Sequence, residues 1–173
     1  MDSDTQINNN NGSKSILGKN YLIGVISDTH GLLRQSAIKA LEGSDLIIHA
    51  GDIGNQEVLE SLKTIAPVVA VRGNVDHGTW ANHLKHSEVV DVEALSFYVL
   101  HDLNELDLDP KAAGFNAVIS GHSHKPSIEN KNDVHFLNPG SAGPRRFNLP
   151  ITVAQLKCKG NSVQSHFIEL KND

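Results

Sequence analysis

The sequence has a single cysteine, few aromatic residues and no long apolar run. Cys158 has no partner for a disulfide within the chain, which is typical of a protein in a reducing compartment. No apolar stretch reaches the roughly 18 residues of a membrane-spanning helix. The N-terminus also lacks the apolar core of a secretion signal. We therefore predict a cytoplasmic protein that does not enter a membrane.

Positive charge is also scarce, with 15 lysines and arginines against 20 acidic residues and a net charge of -5. Because the basic residues form no cluster, long nucleic acid is not expected as a partner, whereas a small phosphorylated substrate remains compatible. The length of 173 residues suits one domain. Residues 1–19 are polar and rich in asparagine, so we predict a disordered extension there and a folded domain over 20–173.

The first half of the domain alternates between strand and helix patterns. Apolar runs predict strands at 21–26, 45–52 and 67–74, each ending in polar residues. Helical spacing of apolar residues predicts helices at 32–43 and 55–66. This β-α-β-α-β order favours a parallel sheet with helical crossovers.

The second half is dominated by strand patterns. Adjacent strands are predicted at 87–94 and 95–102, and a short helix at 109–115, where Pro110 suits a first turn. Further strands are predicted at 116–124, 125–130, 134–141, 149–157 and 162–170, separated by turns rich in Asn, Gly and Pro. Two sheets packed face to face with helices outside accommodate both halves.

Polar side chains follow five of the predicted strands, where α/β sheets bind ligands. They comprise two carboxylates, one amide and four imidazoles: Asp28, His30, Asp52, Asn74, His101, His122 and His124. Such donors suit a divalent Mn, Fe, Zn or Ni ion. Seven ligands exceed the need of one four-coordinate zinc but suffice for two ions that share a bridging carboxylate. Two ions about 4 Å apart can hold a hydroxide and clamp a phosphoryl group.

Each of these residues also has a simpler interpretation. Asp28 would suit the cap of the following helix, and Asp52 an ordinary turn. Asn74 would suit a left-handed turn, and His101 a strand end with a satisfied hydrogen bond. The pair His122 and His124 alone is a common chance match. Only the combination of placement, order and ligand chemistry favours a metal site.

The motifs "SDTHG", "AGD", "RGNVD", "GHSH" and "NPGS" occur in this order along the chain. Together they resemble the signature of the calcineurin-like metallophosphoesterases, and more narrowly the small bacterial and archaeal phosphodiesterases. The resemblance implies an α/β fold, a four-layer αββα sandwich of two mixed β-sheets flanked by helices. It also implies hydrolysis of a phosphate ester by a hydroxide that bridges two divalent metal ions.

The resemblance further implies a role for each ligand. One ion is expected at Asp28, His30 and His124, a second at Asn74, His101 and His122, with Asp52 as the bridge. Asn74 would also contact the substrate phosphate as a catalytic residue. Manganese is the expected metal, with iron, zinc and nickel as alternatives.

The sequence departs from the family pattern beside the proposed site. Val75 stands where many larger relatives carry a histidine that protonates the leaving group, and His77 lies two residues further on. A site without a proton donor favours activated diesters over alkyl monoesters. Asp102 stands where glycine is frequent in relatives. Arg145 and Arg146 would suit a substrate phosphate, although solvated loop charges are an equal alternative.

A metal-dependent phosphodiesterase acting on a small phosphodiester is the leading hypothesis. A phosphomonoesterase is one alternative. Another is a metal-site-containing scaffold for protein–protein interaction of the retromer-subunit type, a class in which the metal site is degraded, whereas all seven ligand positions here carry coordinating residues. A homo-oligomer is left open, because nothing in the sequence marks an interface.

Overall fold

The computed structural model describes residues 19–171 and 173. The predicted N-terminal extension, residues 1–19, lies outside these residues except for Lys19, so its boundary with the domain stays a prediction. Among the described residues, no helix has the length and apolar character needed to cross a membrane.

The first half has the predicted alternation of strands and helices. Its elements are β1 (Asn20–Ile26), α1 (Gln35–Leu41), β2 (Leu46–His49), α2 (Gln56–Lys63) and β3 (Val68–Ala70). Strand β2 pairs in parallel with both β1 and β3, as the helical crossovers require. Helix α2 begins where the Asn55 side chain accepts a hydrogen bond from the Val58 N–H at 3.2 Å.

The second half supplies seven further strands and two short 3-10 helices, Thr79–Ala81 and Leu103–Glu105. The strands are β4 (Ser87–Val92), β5 (Leu95–Leu100), β6 (Ala117–Ile119), β7 (Ser127–Lys131), β8 (Val134–Asn138), β9 (Thr152–Lys159) and β10 (Ser162–Glu169). All seven lie within the segments predicted from the sequence or within two residues of them.

The short helix predicted at 109–115 is wrong, because this segment forms hydrogen-bonded turns. The Asp109 carbonyl accepts from Ala113 in helical spacing, but the Gly114 N–H bonds to Lys111 and the Phe115 N–H to Pro110. Gly114 has a φ of 85°, which ends the turn. The segment is therefore a single turn without the consecutive bonds of a helix.

The strands form two mixed sheets, so the predicted sandwich is confirmed. The first sheet has the order β10-β9-β1-β2-β3 and the second β4-β5-β6-β8-β7. In the first sheet, strands β1, β2 and β3 are parallel to one another. Strand β9 pairs antiparallel with β1, and β10 pairs antiparallel with β9. Helices α1 and α2 contact the first sheet. On the outer side of the second sheet, Leu106 packs against the cluster of Leu100, Val118 and Val134, and the Phe115 ring lies 5.2 Å from the Tyr98 ring.

Two apolar layers hold the sandwich together. Side chains alternate along each strand, so Ile48 of β2 faces the second sheet while Ile47 faces the helices. The layer between the sheets includes Ile23 and Phe97, and the layer under α1 and α2 includes Leu62. This packing fixes both sheets relative to one another, and with them the loops that leave their carboxyl ends.

Candidate metal centre

The loops that follow β1, β2, β3, β5 and β6 meet at one edge of the sandwich. The Asp28 N–H donates to the Gly51 carbonyl at 3.0 Å, which joins the loops after β1 and β2. The Gly121 N–H donates to the His101 carbonyl at 2.9 Å, which joins the loops after β5 and β6. The His101 ring bonds through Nδ1 to the Ala50 carbonyl at 2.8 Å and so connects the two sheets. The structure thereby brings all seven predicted side chains to this edge.

Three of the seven form a first group, namely Asp28, His30 and His124. The His124 Nε2 lies 3.2 Å from the His30 Nε2 and 3.3 Å from the Asp28 Oδ1. One ligand atom from each residue lies within 4.8 Å of the other two, a spacing that could hold a metal ion. Asp28 Oδ1 is buried and has no hydrogen-bond partner among the described residues. A buried carboxylate oxygen without a donor is costly, and a cation would remove that cost.

Three others form a second group, namely Asn74, His101 and His122. The Asn74 Oδ1 lies 3.1 Å from the His101 Nε2 and 3.1 Å from the His122 Nδ1. The two imidazole rings meet edge to face with centroids 5.2 Å apart. The His122 side chain is 44% exposed whereas that of His101 is 5% exposed, so this group opens to solvent.

Asp52 lies between the two groups. Its Oδ2 is 3.8 Å from the His30 Nε2 in the first group, and its Oδ1 is 3.4 Å from the His101 Nε2 in the second. The Val75 N–H donates to the same Oδ1 at 3.0 Å and fixes the orientation of the carboxylate. One carboxylate therefore presents a different oxygen to each group, as a bridging ligand would.

The protonation states of Asp52 and His30 suit a cation. Burial acts to raise the pKa of Asp52, but the His101 imidazole, the Val75 N–H and the charges of His101 and His30 together lower it to about 2. The pKa of His30 is lowered, first by burial, with the nearby carboxylates acting against it. Burial also lowers the pKa of His101, yet the contacts with Asp52 and the Ala50 carbonyl raise it on balance. An ionised Asp52 and a neutral His30 are the forms that bind a metal ion.

The backbone at the centre is held in an uncommon conformation. Five of the nine described non-glycine residues with positive φ belong to the predicted ligand set: Asp28, His30, Asp52, His122 and His124, with φ from 47° to 67°. Such residues are rare, cost about 1–3 kcal/mol each and cluster at functional sites. Asn74 is not among them, so the interpretation of Asn74 as a left-handed turn residue is wrong.

Asp28 does not cap the helix that follows it, which excludes the simpler interpretation of this residue. Helix α1 begins at Gln35 and its N-cap residue, Arg34, makes no side-chain capping bond. The Asp28 Oδ2 instead accepts from the Ser27 hydroxyl at 2.7 Å and from the His122 N–H at 3.1 Å. The Asp28 Oδ1 takes no part in these bonds and lies within the first group, 3.3 Å from the His124 Nε2.

Two residues of the quoted motifs support the ligand loops, and of these Asp76 had no role assigned from the sequence. Asp76 is fully buried and accepts from the Gly54 and Gly73 N–H groups at 2.8 Å each, which fixes the loop that carries Asn74. The Asn138 amide donates to the Gly121 carbonyl at 2.6 Å and holds the loop of His122 and His124. Asp76 and Asn138 occur inside the quoted motifs, but only long-range contacts reveal what they support.

A buried histidine lies behind the first group. The Thr29 hydroxyl donates to the Ile53 carbonyl at 2.9 Å, so it accepts from the His49 Nε2, also at 2.9 Å. Burial lowers the pKa of His49 to about 3, which keeps the ring neutral. His49 thus supports the loop after β1 without carrying charge.

Glycine at position 121 is required by close contacts, which leads to a prediction. A Cβ there would overlap the Ser27 hydroxyl and lie 2.8 Å from the Asp28 Oδ2. Gly121→Ala is expected to lower the free energy of unfolding by about 1–3 kcal/mol and to weaken metal binding, because Asp28 must move. Denaturant unfolding and a manganese titration measure both effects. Gly160→Asn in an open hairpin turn is the control, and equal effects of the two substitutions would contradict the prediction.

A depression of about 190 Å³ lies beside the second group. Its walls include Arg72, His86, Asp102 and Glu105, together with Asn74, His101 and His122. The Asp102 Oδ2 lies 3.7 Å from the His122 Nε2, so the acidic segment after β5 does border the centre. Val75 and His77 are both exposed.

The sequence is also similar to those of known proteins. Residues 21–161 match the calcineurin-like phosphoesterase superfamily domain. A probable metallophosphoesterase of Methanocaldococcus jannaschii is 40% identical over 139 residues, covering 73% of this chain and 70% of the relative. A phosphodiesterase of the same organism is 28% identical over 136 residues, covering 68% of this chain and 82% of the relative.

The fold is also that of a solved structure, vacuolar protein sorting 29 of Cryptosporidium parvum. The TM-score is 0.77 at 21% identity, with 88% of this chain and 93% of the other chain covered. The match to the domain spans nearly all of the described residues and includes every predicted ligand. The chain therefore belongs to the calcineurin-like phosphoesterase superfamily.

Proposed function

We propose that this chain is a phosphodiesterase that uses two divalent metal ions, one at each group of ligands. The position of Asp52 carries the proposal, since its two carboxylate oxygens are directed at different groups, 3.8 Å from His30 and 3.4 Å from His101. When bound, the two ions would activate a water and neutralise charge on the phosphoryl oxygens. We assign manganese, with iron, zinc and nickel as alternatives, because the ligands are oxygen and imidazole nitrogen donors.

The side chains of the centre would have different roles in binding metal and substrate. Asp28, His30 and His124 would hold one ion, and Asn74, His101 and His122 the other. Asn74 is exposed, so its amide can also donate to a phosphate oxygen. Arg145 as a phosphate contact stays a prediction, and its Nε donates to the Leu149 carbonyl at 3.3 Å.

The proposed preference for a diester with a good leaving group rests on the lack of a proton donor at position 75. Val75 has no proton to give, and general acid catalysis typically contributes a factor of about 10² to 10⁴. Esters with good leaving groups need that help least. A phosphodiesterase from Methanocaldococcus jannaschii among the relatives supports the same choice.

A role as a protein-binding scaffold is the alternative from another class. The fold similarity to vacuolar protein sorting 29, at 21% identity, concerns architecture alone. All seven predicted ligands are present here and lie together, which favours catalysis. The cytoplasmic location and the formation of a homo-oligomer stay predictions.

Removal and replacement of metal tests the proposed function. Chelator-treated protein is expected to be inactive on bis-(p-nitrophenyl) phosphate and to regain activity with manganese. Hydrolysis of glycerol 3-phosphate, an alkyl monoester whose leaving group needs a proton, is expected to be slower by about a factor of ten or more, because the site lacks a proton donor. Failure to hydrolyse any diester with manganese, iron, zinc or nickel would contradict the proposal.

A further inference from the structure

The two groups of ligands differ in charge. The first group contains the Asp28 carboxylate together with two imidazoles. The second group consists of one amide and two imidazoles, which carry no charge when they bind a metal ion: Asn74, His101 and His122. The second group therefore has no anionic side chain of its own and depends on the Asp52 carboxylate, which it shares with the first.

Asp102 brings a further carboxylate to the second group. It directly follows His101, and its Oδ2 lies 3.7 Å from the His122 Nε2. The Asp102 side chain is only 24% exposed. In the part of the chain that the structure describes, His122 is the only side chain capable of positive charge within 4 Å of this carboxylate. No lysine or arginine pairs with Asp102 there, so its charge acts on the imidazole of His122.

The two oxygens of Asp102 make different contacts. The Oδ1 accepts from the Asn104 N–H at 3.0 Å and from the Asn104 Nδ2 at 2.9 Å. These bonds cap the 3-10 helix Leu103–Glu105, whose N-cap residue is Asp102. The Oδ2 takes part in neither bond and is the oxygen that lies towards His122. Capping therefore holds the carboxylate in place and accounts for only one of its oxygens.

The His122 ring also has two different sides. Its Nδ1 lies 3.1 Å from the Asn74 Oδ1, within the second group, whereas its Nε2 lies towards Asp102. A neutral imidazole that binds a metal ion through Nδ1 carries its proton on Nε2. The distance of 3.7 Å exceeds that of a hydrogen bond, at most about 3.2 Å, but a carboxylate this close still attracts the Nε2–H. A carboxylate on the far side of a ligating histidine orients the ring and makes it a stronger ligand.

We propose that Asp102 is a positioning residue of the second metal site, whose carboxylate orients His122 through the Nε2–H and adds the negative charge that the second group lacks. This rests on the proposed function and concerns how tightly the second ion is held. Removal of a group that supports a ligating histidine typically lowers metal affinity by a factor of about 10 to 100. Asp102 would thus act on the metal site without binding the metal itself.

A manganese titration of the metal-free, full-length chain, followed by calorimetry, tests this proposal without turnover. The binding phase that His122→Ala removes identifies the second ion. Asp102→Asn removes the charge and keeps an oxygen that can accept from the Asn104 N–H, so it is expected to weaken this phase by about tenfold or more and to leave the other unchanged. Asp102→Glu keeps the charge, although glutamate is not a preferred N-cap residue, and is expected to retain most of the affinity.

These variants separate the charge of Asp102 from its role as a cap. Asp107→Asn, at an exposed residue of the same acidic segment, is the control and should alter neither phase. An unchanged second phase in Asp102→Asn would overturn the proposal. Affinity that is kept in Asp102→Asn and lost in Asp102→Glu would also overturn it, because binding would then follow the cap. So would an equal loss in both phases, because the contact of Asp102 is with the second group.

The outcome is distinguishable from that of the proposed function. A native chain that binds two ions and hydrolyses diesters, with no change in Asp102→Asn, contradicts only the role of Asp102. A weakened second phase in Asp102→Asn, in a chain that hydrolyses no diester, contradicts only the phosphodiesterase function. A native chain without a second binding phase contradicts both.

Discussion

Asp52→Asn is expected to lower phosphodiesterase activity by a factor of about 10³ and to weaken the binding of both metal ions. The asparagine keeps the size of the side chain and can still accept from the Val75 N–H, a contact of 3.0 Å in the native protein. It lacks the negative charge, however. The pKa of Asp52 is lowered to about 2, so the native residue is an anion at neutral pH. Loss of this charge affects both groups because one oxygen is directed at each.

Metal content and the rate on bis-(p-nitrophenyl) phosphate measure the effect of Asp52→Asn. Asp91→Asn, at an exposed residue of β4, makes the same chemical change away from the centre and should leave both quantities unchanged. Full activity with an unaltered metal content in Asp52→Asn would show that the carboxylate does not bridge the two groups.

The substitutions His124→Ala and His122→Ala are expected to affect different metal ions, although the two residues are separated by one position. The His124 Nε2 lies 3.2 Å from the His30 Nε2, whereas the His122 Nδ1 lies 3.1 Å from the Asn74 Oδ1. Each variant should weaken the binding of one ion by about a hundredfold or more. Losses of that order already occur when a residue that only supports a metal ligand is removed.

A stepwise manganese titration followed by calorimetry resolves the two sites. His124→Ala should remove one binding phase and His122→Ala the other, each with a large loss of activity. His166→Ala, at an exposed residue of β10, is the control and should leave both phases intact. Identical effects of the two substitutions on both phases would contradict the division into two groups.

The fold and the members of the site were predictable from the sequence for a physical reason. Buried strands appear in the sequence as apolar runs. In a parallel sheet the carboxyl ends of these runs lie at one edge. Asp28, Asp52 and His101 each follow such a run, so their order along the chain indicated their proximity. The segment at 109–115 was mistaken because it starts like a helix, with the Asp109 side chain accepting from the Lys111 and Ala112 N–H groups as a cap does, but ends after one turn at Gly114, which has a φ of 85°.

The details of the site depend on contacts between distant segments, which a single sequence does not display. The bond from the His122 N–H to Asp28 spans 94 positions, and the bond from the Ser141 hydroxyl to the Asp28 carbonyl spans 113. The left-handed backbone at Asp28 and His30 is imposed by such bonds rather than by local preference.

The central claim is that the seven side chains form two metal sites joined by Asp52. Its most direct test is the metal stoichiometry of the chain after removal of metal, dialysis against manganese and elemental analysis. The account predicts two manganese ions per native chain. One ion per chain, or none with any of the four candidate metals, would contradict it.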